Sequence, residues 1–306
     1  MSSPARYYFQ QISHCVMCGD DTRHHSVLGL RLNQSQGFTP RAKRGIATTV
    51  VKCRRCHLIY SNPQPVPFDI QDHYGMPPED YWKPAYFHYD PGYFSQEIAR
   101  LRQLMVVTPG MKALDIGAGL GKCMISLNNA GFDTFGFEVS ESFHRRAISQ
   151  MKIDPARLKL GALESVDYDD HSFDFITFSV VLEHLYDPAA SIEKAMRWLK
   201  PGGLMHIEVP SSSHLLAKLI NSYYRLIGTT YITNLSPMHP PYHLYEFDLR
   251  SFEEHARISN RYTVLFHEYY VCSIEPFPRF VRPFLSWMMK RTNTGMQLAV
   301  WLQKKV

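Results

Sequence analysis

KALDIGAGLG (112–121) is an apolar run that ends in an acid and then sets glycines on alternate positions, Gly117, Gly119 and Gly121. The apolar part reads as a buried strand. The glycines let the chain turn sharply and let a ligand approach without meeting a Cβ. A dinucleotide fingerprint would run G-x-G-x-x-G and give a pyrophosphate the N-terminus of a helix. Here the run is G-x-G-x-G, Ala118 fills the first gap, and Asp115 stands directly before it. That carboxylate would repel phosphate and suits an ammonium group. The next strand, DTFGFEV (133–139), carries Glu138, 21 residues after Gly117. A carboxylate there can accept hydrogen bonds from both hydroxyls of a ribose. A ligand with an ammonium, a ribose and no phosphate fits S-adenosylmethionine (SAM).

The alternation of strand and helix continues on both sides. YFSQEIARLRQLMVV (93–107), KCMISLNNAG (122–131), SESFHRRAISQM (140–151) and PAASIEKAMRWLK (188–200) have helical spacing. HSFDFITFS (171–179), LMHIEVP (204–210), RYTVLFHEYYV (261–271) and GMQLAVWLQKK (295–305) read as strands. Ser140 is placed to cap a helix, and Pro201, Gly202 and Gly203 to end one. This order predicts a parallel, doubly wound α/β sheet.

Composition agrees with a folded protein. Of 306 residues, 45% are hydrophobic and 20% charged, which excludes disorder as the main state. The length suggests one domain and a smaller module. No apolar run approaches the ~20 residues of a membrane-spanning helix. Residues 1–11 contain no apolar stretch of the secretory kind, so a cytoplasmic protein is expected. The formal net charge is +5, unevenly spread: residues 1–65 hold nine Lys and Arg against two acids, +7, and the rest 24 against 26, −2. A basic segment can contact phosphates, although charge runs more often form a solvated face.

Four of the six cysteines form two C-x-x-C pairs, Cys15 with Cys18 and Cys53 with Cys56. Two such knuckles can present four thiolates tetrahedrally to Zn²⁺. A module this small buries little apolar surface, so a structural metal would supply the missing stability. His24 or His25 could replace one cysteine. Cys123 and Cys272 are expected to be small buried residues. Between the second knuckle and the α/β segment lies a stretch rich in Pro and aromatics. Its rings, Tyr86 and Tyr89 among them, are expected to pack on the next domain or to cap its pocket.

ALDIGAGLG, FGFEVS, HSFDFITFSVVLEHLYDP and LKPGGLMHIEVP together resemble a class I SAM-dependent methyltransferase. The resemblance implies a Rossmann-like, seven-stranded sheet. It implies that the glycine loop (Asp115, Gly117, Ala118, Gly119, Gly121) holds the methionine part of SAM and Glu138 the ribose. It also implies that Ala162 and Leu163 flank the adenine and that Ser179 ends the strand beside the crevice. Many relatives have Asp where Ala162 stands. The N-terminal part, with two C-x-x-C pairs and CHLIYSNP (56–63), resembles a subgroup found mostly in sugar and natural-product tailoring. The expected organisation is a zinc-ribbon-like module at 1–65, a linker or cap at 66–92, and a methyltransferase domain at 93–306 with insertions near 211–247 and 272–294.

In such open sheets the crevice lies outside the carboxyl ends of the strands. Glu183 and His184 follow the strand that ends at Ser179, so His184 is expected near the transferable methyl, where a neutral imidazole can take a proton from an attacking hydroxyl. MHPPYHLYEFD (238–248) offers His243 as a second candidate base, with His239 and Tyr242 behind it, while Asp248 is placed to cap the following helix. The partner expected is a small-molecule acceptor carrying a sugar or phenolic hydroxyl. FPRFVRPFLSWMMKR (277–291) holds four basic residues and no acid, a composition suited to a core or dimer helix, or to a membrane surface or a lipid-linked acceptor. Two other functions share these residues: a ribosomal RNA methyltransferase gripping RNA through its basic zinc module, and a non-catalytic SAM sensor that binds a polyanion. No RNA-methylating motif follows Ser179, which argues against nucleic acid.

Overall fold

The computed structural model describes residues 6–33, 45–69, 84–272, 274 and 277–306. Of the expected linker, residues 70–83 lie outside the described residues, as do residues 273, 275 and 276 of the second insertion.

Near the N-terminus β1 (Tyr7–Gln10), β2 (Ser26–Leu32), β3 (Ala47–Lys52), β4 (Ile59–Ser61) and β5 (Gln64–Pro67) make two small antiparallel sheets. β1 pairs with β5, and β2, β3 and β4 are neighbours in that order. The larger unit follows as α1 (Ser95–Leu104), β6 (Lys112–Ile116), α2 (Lys122–Asn129), β7 (Asp133–Glu138), α3 (Glu141–Ser149), β8 (Leu158–Leu160) and β9 (Phe173–Ser179). It continues as α4 (Pro188–Trp198), β10 (Leu199–Pro210), α5 (Leu215–Leu226), β11 (Tyr245–Glu246), α6 (Leu249–Ser259), β12 (Tyr262–Tyr270), α7 (Arg282–Arg291) and β13 (Gln297–Lys304).

The expected doubly wound, seven-stranded sheet is present, in the order β8-β7-β6-β9-β10-β13-β12. β13 alone runs antiparallel to its neighbours. The chain winds outward from β6 to β8 and then returns to lay β9 against β6. The order reverses there, which opens a crevice beyond the carboxyl ends of those two strands. Alternate residues face opposite sides of the strands. Ala113, Phe175, Leu204 and Trp301 pack under Leu101 of α1 and Leu127 of α2. Leu114, Ile176, Met205 and Leu302 pack under Ile192 and Met196 of α4 and Phe252 of α6. Each such fully buried Leu, Ile, Met or Phe side chain contributes roughly 1.5–3 kcal/mol, so the crevice stands on a stiff floor.

Several local expectations shift. α4 ends at Trp198 and β10 starts at Leu199, with Pro201, Gly202 and Gly203 inside an irregular stretch of the ladder. Ser140 precedes α3 without a side-chain cap: its N–H donates to Glu138 Oε1 at 2.7 Å and its Oγ lies 3.0 Å from Ser142 Oγ. α7 starts at Arg282 rather than 277, with Pro283 in its first turn, where a missing N–H costs nothing. Cys272 is exposed, whereas Cys123 is buried as expected. Asp248 caps α6 in a capping box with Ser251.

The N-terminal sheet does not close on its own residues. β11, from the first insertion, adds antiparallel to β4, pairing Tyr245 with Tyr60 and Glu246 with Ile59. The insertion also meets β2 through Leu30 N–H to Thr230 O (2.9 Å) and Ile232 N–H to Leu30 O (3.0 Å). Buried Arg31 donates to Leu235 O at 2.9 Å and reaches His239 Nε2 at 3.3 Å. The N-terminal module and residues 229–247 are thus one packed unit.

Candidate functional site

The glycine loop leaves β6 at Ile116. Gly117 has φ +69°, and a Cβ there would meet Val181 Cγ2 at 2.7 Å, so only glycine lets the two loops touch. Gly119 differs: a Cβ would find only the Tyr86 hydroxyl, at 3.6 Å, so the space before it is open to a ligand. Ala118 N–H donates to Phe137 O at 3.0 Å and Gly121 N–H to Ala118 O at 2.7 Å, which pins the loop against β7.

Two buried carboxyls stand beside this loop. Asp115 Oδ2 has no hydrogen-bond partner among the described residues, and burial, then the neighbouring Glu138, push its pKa up to about 8. Glu138 Oε2 accepts Gly119 N–H at 2.7 Å while Oε1 takes Ser140 N–H. Burial raises Glu138 against these hydrogen bonds. An unpartnered buried carboxyl beside an open backbone cradle fits a cationic group of modest size and no phosphate, the donor set that SAM requires. Beyond β8, Gly161 N–H donates to Glu138 O, Ala162 is half-buried, and Leu163 packs into the main core.

Tyr86 belongs to the aromatic stretch expected to pack on the domain or to cap its pocket. In the fold Pro84–Phe87 forms a 3₁₀ turn over the crevice, and burial beside Glu138 and Asp115 pushes the Tyr86 phenol up to about 12. Lys122 Nζ lies 4.2 Å from the Tyr86 ring centroid. This contact joins residues far apart in sequence, so no local pattern announces it.

At the end of β9 the backbone is strained. Val180 has φ +59°, a region that β-branched residues rarely enter. Its N–H donates to Glu208 O at 3.0 Å, and Ser179 is in register with Glu208. The turn that follows, Leu182–His184, buries Glu183 completely. Neither Glu183 oxygen has a hydrogen-bond partner among the described residues. His243 Nε2 lies 3.7 Å and His184 Nε2 3.9 Å from Glu183 Oε1, and the two imidazole centroids are 5.0 Å apart. The structure therefore brings together the three side chains the sequence singled out. His184 Nδ1 is 3.3 Å from Tyr242 O, a contact that assigns its proton to Nδ1. Leu244 N–H donates to Glu183 O at 2.9 Å, and Ser236 hydrogen-bonds His243 through its N–H and Oγ. Burial, then the charges of His184 and His239, hold His243 down at about 3, while burial holds Glu183 well above the usual carboxylate range. Burial thus favours the uncharged form of each. Their ligand atoms lie within 4.8 Å of one another, a set that a shared proton or a divalent cation could occupy. His239 turns away to Arg31, so it makes no metal pair with His243.

At the end of β10 is a cavity of about 440 Å³ lined by Glu97, Glu208, Tyr270, Cys272, Lys290 and Gln297 among others. Burial, then Glu97 and Glu268, push Glu208 up to about 7. Glu208 is close enough to Glu183 for their charges to repel.

The four cysteines also converge. Cys15 Sγ lies 3.5 Å from Cys56 Sγ, and Cys18 Sγ 3.6 Å from Cys53 Sγ. These are not bonded distances, and they suit thiolates placed around one ion with metal–sulfur bonds of about 2.3 Å. His25 lies beside this set, with a ring nitrogen, Cys53 Sγ and an Asp20 oxygen within 4.8 Å of one another. Its Nδ1 meets Tyr60 OH at 2.9 Å, and its Nε2 faces Asp20.

The family described as "Methyltransferase domain" matches residues 86–293, well over half of the chain. The chain belongs to this family. Its sheet order is that of the class I, SAM-dependent members. The methyltransferase is 27% identical over 136 residues to a ubiquinone biosynthesis O-methyltransferase of Alkalilimnicola ehrlichii, covering 42% of this chain and 51% of that protein. It is 30% identical over 131 residues to the protein of the same name from Methylococcus capsulatus, covering 42% and 53%. It spans about half the length of these curated relatives. A solved SAM-dependent methyltransferase from Mesorhizobium loti shows a TM-score of 0.47 and 15% identity over 70% of this chain and 98% of that one.

Proposed function

We propose that this methyltransferase moves a methyl group from SAM to a hydroxyl of a small sugar or natural-product acceptor, with His243 as general base and His184 and Glu183 beside it. The names of the relatives support oxygen as the methylated atom. The observation that carries the reading is His243 lying 3.7 Å from buried Glu183, a residue of the turn whose Val181 packs against Gly117 of the loop that follows Asp115.

Asp115 receives the ammonium of the cosubstrate, and the loop from Gly117 through Ala118 and Gly119 to Gly121 gives it room. Glu138 keeps free lone pairs for the ribose hydroxyls after accepting its two backbone N–H groups. Ala162 and Leu163 border the adenine through backbone and apolar contact, and Ser179 closes the strand end. Bound SAM supplies a methyl group on a positive sulfur, ready for in-line displacement. Tyr86 closes over the crevice and excludes water. The cavity beside Glu208 receives the acceptor. Positioning of the two reactants accounts for much of the rate.

His243 Nε2 faces Glu183, which leaves Nδ1 to take the acceptor's proton. An imidazole depressed to about 3 is a weak base in isolation. His243 gains its positive charge, however, as the crevice loses that of the sulfonium, so the site carries the same total charge before and after. His184 fixes the Tyr242 backbone next to it.

Cys15, Cys18, Cys53 and Cys56 hold a structural Zn²⁺ in this proposal. A metal held there would stiffen β4 and, through β11, the segment bearing His243. Three of the nine basic residues of 1–65 are engaged within the fold, Arg31 by burial, Arg23 with Asp21 at 2.7 Å and Arg55 with Glu254 at 2.8 Å, which weighs against RNA, while Arg41, Lys43 and Arg44 lie outside the described residues.

The test is transfer of labelled methyl from SAM to a panel of sugar and phenolic acceptors. Replacing His243 by Ala is expected to lower turnover by about 10²- to 10⁴-fold with SAM affinity kept. Full rate in both His243→Ala and His184→Ala would overturn the base assignment.

A further inference from the structure

α5 and α7, the helices of the two insertions, pack on each other through Leu216, Leu285 and Met289, with Ile274 in the same cluster. Each carries a second apolar row that nothing covers among the described residues. On α5 the row is Leu219, Tyr223 and Leu226, spaced for one helix face, with Leu226 85% exposed. On and before α7 it is Phe280, Phe284 and Trp287, with Phe280 85% and Trp287 60% exposed. Exposed aromatics this dense on a folded chain mark an interaction surface.

Charge says what covers it. Residues 214–228 contain Lys218 and Arg225, residues 277–291 contain Arg279, Arg282, Lys290 and Arg291, and neither stretch contains an acid. A second copy of the chain docking face to face would set these cations against one another with no carboxylate from either stretch to pair with them. An anionic bilayer offers both partners at once, an apolar layer for the rings and a negative surface for the cations. No described helix is long and apolar enough to cross a membrane, so the contact would be peripheral. We propose that the paired helices α5 and α7 dock this protein on the surface of an anionic lipid bilayer through Phe280, Phe284, Trp287 and the exposed row of α5. Lys290 also lines the cavity beside Glu208, so docking would turn the cavity mouth towards the lipid and admit a lipid-soluble acceptor. That last consequence rests on the proposed function, whereas the binding does not.

The intact protein is sedimented with vesicles of phosphatidylcholine alone and of phosphatidylcholine with phosphatidylglycerol. The expected result is partition onto the second kind only, weakened by salt, with a blue shift of Trp emission. Trp198 and Trp301 are fully buried, and the fourth tryptophan, Trp82, is replaced by Phe in every sample, so the shift should vanish in Trp287→Phe while partition persists. Phe284→Ser with Trp287→Ser is expected to lower partition about ten-fold while leaving SAM binding and the thermal melt unchanged, which separates loss of docking from loss of fold. Three results would overturn the proposal: no partition onto either vesicle, partition indifferent to the double substitution, or a dimer in ultracentrifugation that the double substitution dissolves.

Discussion

The two walls of the crevice are built in different ways. On the cosubstrate side, Asp115, the glycine loop and Glu138 come from two neighbouring parallel strands, and main-chain hydrogen bonds fix them. On the proposed acceptor side, Glu183, His184, His243 and Glu208 come from β10, a strained turn and a segment, 229–247, that leans on the N-terminal sheet. The first wall follows from local backbone geometry over a packed sheet. The second is a tertiary construction. A perturbation of one should therefore leave the other largely intact, and the expected effects below are ways to break that separation.

The largest effect is expected from filling the cradle. In Gly119→Val the new side chain enters the open space before Tyr86, where the fold has no competing atom closer than 3.6 Å to a Cβ. SAM affinity should fall about a hundred-fold, and the strain of a positive φ should cost about 1–3 kcal/mol of stability. Isothermal titration beside a thermal melt measures both. Unchanged affinity would remove the loop from the binding site.

Metal removal should act on the other wall. Tyr245 and Glu246 pair with β4, and Ser251 Oγ donates to Cys56 O at 2.9 Å, so loosening the cysteine cluster frees the segment that carries His243. Chelation, or Cys53→Ser, should lower turnover about ten-fold or more by misplacing that imidazole, with SAM affinity within about two-fold. Metal analysis and a SAM titration on the same sample check this. Purified protein with four free thiols and no metal would refute the zinc assignment.

The smallest effect concerns pH. Free Asp115 is pushed up to about 8, and an ammonium ligand favours its ionised form. Below that pH the bound state holds fewer protons than the free state, so binding releases a proton and tightens as pH rises towards 8. The change should be less than about ten-fold per pH unit. Titrations in two buffers of different ionisation enthalpy reveal the proton. His243, held at about 3, should by contrast leave turnover without an acidic limb near pH 6.5.

What the sequence revealed follows the same division. The strand-loop-helix around Asp115, the acid at Glu138, and the cysteine pairs are short-range patterns whose spacing states their geometry. His184 and His243 were recognisable as residue types in the right loops. Their convergence on Glu183 was not, because it depends on Leu244 pairing with the turn at Glu183 across some sixty residues. Glu208 beside Glu97 and β11 completing the N-terminal sheet were equally hidden, since each joins distant segments, whereas the aromatic stretch already announced a ring such as Tyr86 packed on the domain. The missing cap at Ser140 is local instead: its Oγ meets Ser142 Oγ at 3.0 Å rather than an N–H of the first turn.

The most direct test of the central claim is a titration of SAM into the intact protein and into Asp115→Asn. The wild type should bind one equivalent, and the variant should bind at least about ten-fold more weakly because the ammonium loses its buried counter-charge. Equal binding by both proteins, or no binding of SAM or of its demethylated product to the wild type, would contradict the account.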